Sequence, residues 1–204
     1  MKTLKYGFFG EDEAQRIFLA NYLEQLVLSL GKSEELTFQY DQEFAWRFKG
    51  IQGNNVDSKF AEAAQFGFVD YRQDVFFVGR DLDTNDTAAF QAKVKSMQDK
   101  LQKDFQDKTI FLLPVQCVEH WLWYLKIKQE NPNSTKNDNL EKNPNKLAKK
   151  TLYKIDRATN KVSSPIVESL SKNLDIEHLE SRSERFRVFH KKVLNFINKT
   201  VKVI

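Results

Sequence analysis

The stretch Val75-Phe76-Phe77-Val78-Gly79-Arg80-Asp81-Leu82-Asp83-Thr84-Asn85-Asp86 sets a short apolar run directly before three carboxylates. The run reads as a buried strand. Carboxylates are costly to bury, so these belong at the strand's carboxyl end, facing solvent or an ion. In open α/β sheets that end is where ligands bind. Asp81 and Asp83 are two apart, so on a continuing strand they point the same way. Like charges a few ångströms apart repel unless a proton or cation sits between them. Magnesium takes hard oxygen ligands of this kind and keeps several waters. The stretch therefore predicts a magnesium site, against the alternative of a polar loop with a helix-capping Asp.

Working outward, elements alternate on both sides. Lys2 to Phe9 reads as a strand broken by Gly10. Glu11-Asp12-Glu13 then opens an amphipathic helix carrying Ile17, Phe18, Tyr22, Leu23, Leu26 and Leu30, which Gly31 ends. Acids suit a helix's first turn, but these three also follow a strand end, as Asp81 and Asp83 do. Leu36–Tyr40 is a short strand. In Asp41–Asn55 the aromatics Phe44, Trp46 and Phe48 alternate, which suggests another strand or an inserted hairpin. Val56–Phe68 reads as a helix and Thr84–Phe105 as one long helix. Lys108–Pro114 contains a buried strand, and Val118–Gln129 is an apolar helix. Strand and helix in strict alternation predict a parallel sheet of about four strands with helices on its faces.

Glu119 stands near the start of that last helix, in an apolar neighbourhood. A carboxylate there needs a partner, as a capping acid, an ion pair or a metal ligand. His120 beside it reads as a core histidine, and no His/Cys spacing suggests zinc. The lone Cys117 excludes an intramolecular disulfide and reads as a buried thiol suited to a reducing cytoplasm. No apolar run approaches the twenty residues of a membrane span, and Met1–Lys5 lacks a signal-peptide pattern.

Residues 130–146 change regime, with six Asn and two Pro, and read as a loop or linker. This divides the chain into an α/β domain over 1–130, an Asn-rich linker over 131–146 and a basic helical extension over 147–204. Short helices are expected at Pro165–Leu170 and Leu174–Leu179. Ser181-Arg182-Ser183-Glu184 has capping-box spacing before a final helix whose apolar face, Phe186, Phe189, Val193, Phe196 and Ile197, packs back onto the sheet. The net charge of +4 conceals an asymmetry: residues 131–204 carry sixteen Lys and Arg against eight Asp and Glu, whereas residues 1–130 carry sixteen against twenty. An acidic site beside a basic appendage suits a polyanion held next to metal ions.

The acid pattern fails an EF-hand loop starting at Asp81, because Asp86 and Ala92 occupy the required Gly and Glu positions. It matches the haloacid-dehalogenase nucleophile loop only in part, since Asn85 is the fifth residue. There is no P-loop. It resembles the Toprim family, especially the small stand-alone RloB-like proteins and the nuclease domain of the OLD type. The carriers are Phe8-Phe9-Gly10-Glu11-Asp12-Glu13, Asp81-Leu82-Asp83, Val118-Glu119-His120-Trp121-Leu122 and, more weakly, the segment 181–186. In one departure, Phe9 occupies the family's usual acid position, and Glu11 or Glu13 stands in.

The resemblance implies a Toprim-like, Rossmann-like fold and a metal-dependent nuclease of anti-phage defence, with an ABC-type ATPase as partner. It implies one or two Mg²⁺ or Mn²⁺ ions among Glu11, Asp81, Asp83 and Glu119, with Glu13 and Asp86 in the outer shell. Lys150, or Lys154, takes the place of the family's lysine. Lys146, Lys149 and Lys154 are the expected nucleic-acid contacts. The alternatives are a non-catalytic interaction subunit of the same fold and a phosphatase built on Asp81.

Overall fold

A computed structural model describes residues 1–48, 54–82, 86–133, 138–155 and 157–201. Four strands, β1 (Lys2–Gly10), β2 (Leu36–Tyr40), β3 (Val75–Gly79) and β4 (Thr109–Leu112), form one all-parallel sheet in the order β2-β1-β3-β4. β1 pairs with β3 from Tyr6↔Val75 to Gly10↔Gly79, so the two strands end level.

β3 shows why a parallel strand reads as a continuous apolar run. Val75 and Phe77 enter one core, while Phe76 and Val78 enter the other. Both faces are covered by helices, so neither parity of the strand can be polar. α1 (Glu13–Ser29) covers the first face. α2 (Gln42–Arg47), α3 (Asn54–Val69) and α4 (Thr87–Asp99) cover the second. α5 (Lys103–Gln106) is a single turn leading into β4. α6 (Glu119–Glu130), α7 (Asn145–Tyr153), α8 (Asn160–Ser171), α9 (Ile176–Arg182) and α10 (Glu184–Val201) all return to the first face. The chain is thus α/β with a Rossmann-like sheet. The expected inward face of α10 is buried in the same core as β1, β3 and α6, so extension and sheet share one hydrophobic interior.

Several local expectations are corrected. Asp41 does not lead into a strand or hairpin but caps α2, its carboxylate accepting from Phe44 N at 3.2 Å. Phe44 and Phe48, four apart, are tilted together with ring centroids at 4.6 Å, while Trp46 points out and is 79% exposed. The aromatics alternate in sequence but not in environment. The single helix expected over 84–105 is two helices, α4 and α5, separated at Lys100–Gln102. α8 begins before Pro165 and carries it internally. α10 is capped by Ser183 rather than Ser181, with Phe186 N donating to Ser183 Oγ at 3.1 Å. Ser181 lies inside α9 and donates to the His178 carbonyl.

The described part of the Asn-rich segment after residue 137 packs against the neighbouring helices. It contains a 3₁₀ turn at Leu140–Lys142. Buried Glu141 accepts from Trp121 Nε1 at 3.0 Å and from Ser183 Oγ at 2.8 Å, tying α6 to the start of α10. One apolar residue, Leu140, and the polar Glu141 hold this part of the segment, too little for hydrophobic periodicity to reveal it.

Candidate metal and phosphate site

The helix following β1 lies on one face of the sheet, and the helix preceding β3 lies on the other. The chain order therefore reverses between these two adjacent strands, the place in such sheets where a crevice opens at the carboxyl ends. Gly10 and Gly79 stand side by side at that edge. A Cβ on Gly79 would collide with the Gln15 amide oxygen, and a Cβ on Gly10 with the Phe8 ring. The paired glycines let the fully buried Gln15 lie across the two strand ends. Its Oε1 accepts from Glu11 N at 3.2 Å, and its Nε2 donates to Asp81 Oδ1 at 2.7 Å. One amide thereby locks the ends of β1 and β3 together.

Three carboxylates gather beside Gln15. Asp12 is the N-cap of α1, its Oδ1 accepting from Gln15 N at 2.9 Å. Asp81 follows β3. Glu119, 2% exposed, is the first residue of α6. Tyr153 donates its hydroxyl to Glu119 Oε1 at 3.0 Å, and Lys149 Nζ lies 3.8 Å from the same oxygen. Glu119 Oε2 is buried and has no hydrogen-bond partner among the described residues.

Burial, then the negative charges of Asp12 and Glu119, pushes the Asp81 carboxyl well above the ordinary carboxylate range. Burial, then Glu119, raises Asp12 as well, against the pull of its bond from Gln15. Burial would lower Lys149, yet Glu119 and the other acids hold it above the usual lysine value. Burial, then the charges of Glu119 and Asp81, pushes the Cys117 thiol far up, with a contribution from its contact with the Glu119 carboxylate. When ionised, Asp12, Asp81 and Glu119 outnumber the cations beside them among the described residues, Lys149 and Arg157. A cavity of about 310 Å³ opens onto Asp12, Glu119, Lys149 and Tyr153, with Arg157 and Ser163 on its far wall.

The expected residues fall as follows. Asp81 and Glu119 come together. Glu11 lies at the same edge but faces away from them: Arg80 Nη1 pairs with its Oε1, and Asp81 N donates to its Oε2 at 2.7 Å. Glu13 is occupied by Arg16. Asp86 caps α4, accepting from Ala88 N and Ala89 N. Asp83 lies outside the described residues. Of the lysines, Lys149 reaches the acids, whereas Lys146, Lys150 and Lys154 are exposed.

Asp12 went unassigned in the sequence and Lys149 was assigned to nucleic-acid contact rather than to the acids, and each had a signal. Asp12 stands three before Gln15, the spacing of an N-cap with its N3 partner. Lys149 is four before Tyr153 on the buried face of α7. His120 is structural as expected, with Nδ1 against Cys117 Sγ at 3.3 Å and Nε2 against the Asn143 carbonyl at 3.0 Å.

Among the described residues, no three His, Cys, Asp or Glu side chains converge closely enough to hold one ion. The carboxylates feel one another but are held by Gln15, Tyr153 and Lys149. Compared with known proteins, the chain matches no family model, no curated protein and no solved structure.

Proposed function

We propose that this chain is a Toprim-type hydrolase that cleaves nucleic-acid phosphodiesters with a divalent metal ion drawn to the acids Asp81, Glu119 and Asp12, which do not all ligate it directly and leave part of its shell to water. The observation that carries this reading is the gathering of Asp12, Asp81 and Glu119 near the sheet's switch point, close enough for Glu119 to raise Asp12 and for both to raise Asp81, with Asp12 and Glu119 lining one cleft beside Lys149 and with Glu119 Oε2 lacking a hydrogen bond among the described residues. Hard oxygens in surplus fit Mg²⁺ or Mn²⁺, and incomplete convergence fits an ion that keeps several waters. When bound, such an ion activates a water and takes up charge on the leaving oxygen.

The residues divide the remaining work. Tyr153 orients Glu119 through its hydroxyl, leaving Oε2 for another partner. Gln15 fixes the Asp81 carboxylate and keeps it beside Asp12. Lys149, beside Glu119, and Arg157, which lines the same cavity, put positive charge where a phosphate entering beside the acids needs it. Burial strengthens each of these electrostatic contacts. The anti-phage setting and the ATPase partner follow from the Toprim resemblance and stand or fall with it.

Calorimetric titration of the purified chain with Mn²⁺, paired with cleavage assays on single- and double-stranded DNA and RNA, tests the proposal. Binding and EDTA-sensitive cleavage are expected, and both should be lost in Asp81→Asn. Absence of metal binding sinks the reading. The pairing of Glu11 with Arg80 favours a second reading, a non-catalytic subunit of the same fold. Metal binding without cleavage of any of these substrates is its signature.

A further inference from the structure

A second feature, independent of the acid cluster, lies at the opposite edge of the sheet. β4 is an edge strand. Phe76 N donates to the Lys108 carbonyl and Arg80 N to the Leu112 carbonyl, so the main chain of Lys108, Ile110 and Leu112 faces β3. By alternation, the N–H and C=O groups of Thr109 and Phe111 face outward. No hydrogen bond to them occurs among the described residues. The Thr109 side chain belongs to a residue 6% exposed, and its Oγ1 is buried without a partner.

These groups lie in a slot of about 520 Å³ between α4 and α10. Phe90 and Val94 form one wall, and Val188 and Phe196 the other. α10 bounds it at both ends. The Arg185 guanidinium sits 3.8 Å above the Phe90 ring at one end, and Lys199 pairs with Asp107 at 3.0 Å at the other. The helix between them spans roughly 21 Å, enough for an extended segment of about six residues. Lys192 stands on the α10 wall without a close ion pair among the described residues, and it adds to the positive charge that Lys199 brings to Asp107, so two lysines face one acid in the slot.

We propose that this slot docks an extended segment of a partner protein, apolar in its middle and acidic at its flank, which adds to β4 as a fifth strand. Unpaired edge groups supply main-chain hydrogen bonds in this mode, and flanking pockets supply specificity. Phe90 and Val94 on α4 stand opposite Val188 and Phe196 on α10, so side chains in the middle of the segment, pointing alternately to the two helices, meet apolar surface, while Lys192, Asn195 and Lys199 make the rest of the α10 wall polar. The acidic flank answers Lys192. A second copy of this chain fits poorly, because its own β4 lies at the bottom of an identical slot and the two edges cannot meet.

Fluorescence anisotropy of the full chain with a labelled Asp-Val-Ile-Val-Ile-Glu peptide, beside the same peptide N-methylated at alternate amides, tests this. Expected are binding of the plain peptide, loss with the methylated one, and exchange protection gained at the Thr109 and Phe111 amides. Lys192→Glu, an exposed change that leaves the fold intact, should weaken binding about tenfold, the loss of one charge-assisted contact. The proposal is overturned if the plain peptide does not bind, if both peptides bind equally, or if protection appears elsewhere. A concentration-dependent dimer protecting the same amides without peptide would also overturn it and assign the slot to a second copy.

Discussion

Two groups of acids stand at the same edge of this sheet, and the fold treats them differently. Toward α3 and α4, Glu11 and Asp57 are matched by Arg80 and Lys93: Arg80 pairs with both acids, and Lys93 Nζ lies 2.7 Å from Asp57. Toward α1 and α6, Asp12, Asp81 and Glu119 share Lys149; a buried carboxylate oxygen without a hydrogen bond among the described residues occurs in both groups, Asp57 Oδ1 in the first and Glu119 Oε2 in the second, so the difference lies in the count of cations. Buried charges that serve only the fold are normally paired. The matched group reads as architecture holding the end of β1 against the end of β3. The unmatched group reads as a place prepared for something positive. Arg80 and Asp81 are consecutive, so a single step along the chain separates the two roles.

The comparison breaks most visibly at Glu119. Glu119→Gln keeps the Tyr153 hydrogen bond, so the fold should lose no more than about 1 kcal/mol in urea unfolding. If Glu119 holds a metal ion, cleavage falls at least about a hundredfold, the upper end of the cost of losing even a supporting group, and partly returns at higher Mn²⁺. Unchanged cleavage would move Glu119 into the matched, structural class.

The opposite substitution is Arg80→Met, which strips Glu11 and Asp57 of their shared cation. Both ions are largely buried, with side chains 18% and 13% exposed for Arg80 and Glu11. Removing one partner should cost about 3 kcal/mol of stability, read from the urea midpoint. A cost near zero would mean that the matched group does not hold the strand ends.

Asp81→Asn separates the groups by pH. The folded chain binds the Asp81 proton more tightly than the unfolded chain, because burial and the acids beside it raise that carboxyl. This contribution to stability is complete below the unfolded value of about 4 and is lost as pH rises through the raised folded value. The metal-free variant should therefore be more stable than the native chain at pH 7, by about 1 kcal/mol, and the difference should vanish in acid. A difference that grows toward acid would reverse the sign and show that Asp81 is paired after all.

The smallest effect belongs to the exposed lysines. Lys146→Glu should leave stability unchanged and lower the salt dependence of nucleic-acid binding by about one counterion. An unaltered slope would remove that surface from the binding face.

The contrast between the groups was only half legible beforehand. Asp81 was found because three carboxylates follow an apolar run, and Glu119 because a charge in an apolar helix start demands a partner. Glu11 was expected in the cluster and Asp12 was not, although they are neighbours. Which one turns toward Asp81 depends on the N-cap geometry of α1 and on Arg80 arriving from another strand. Neither leaves a periodic trace. Lys150 was expected beside the acids, and it is Lys149 whose Nζ lies 3.8 Å from Glu119 Oε1, because one residue on a helix rotates a side chain by about 100°.

The sequence by itself determined the alternation of strands and helices, the double-faced burial of β3 and the inward face of α10, because periodicities of 2 and 3.6 follow from local backbone geometry. Tertiary structure decided the strand order, the side-by-side ends of β1 and β3 at Gly10 and Gly79, and the open edge of β4. It also decided which acids found cations. Those are contacts between residues as many as 70 positions apart, as Glu11 and Asp81 are. Charge pairing at that range depends on which surfaces the packed core brings together, and no local pattern encodes it.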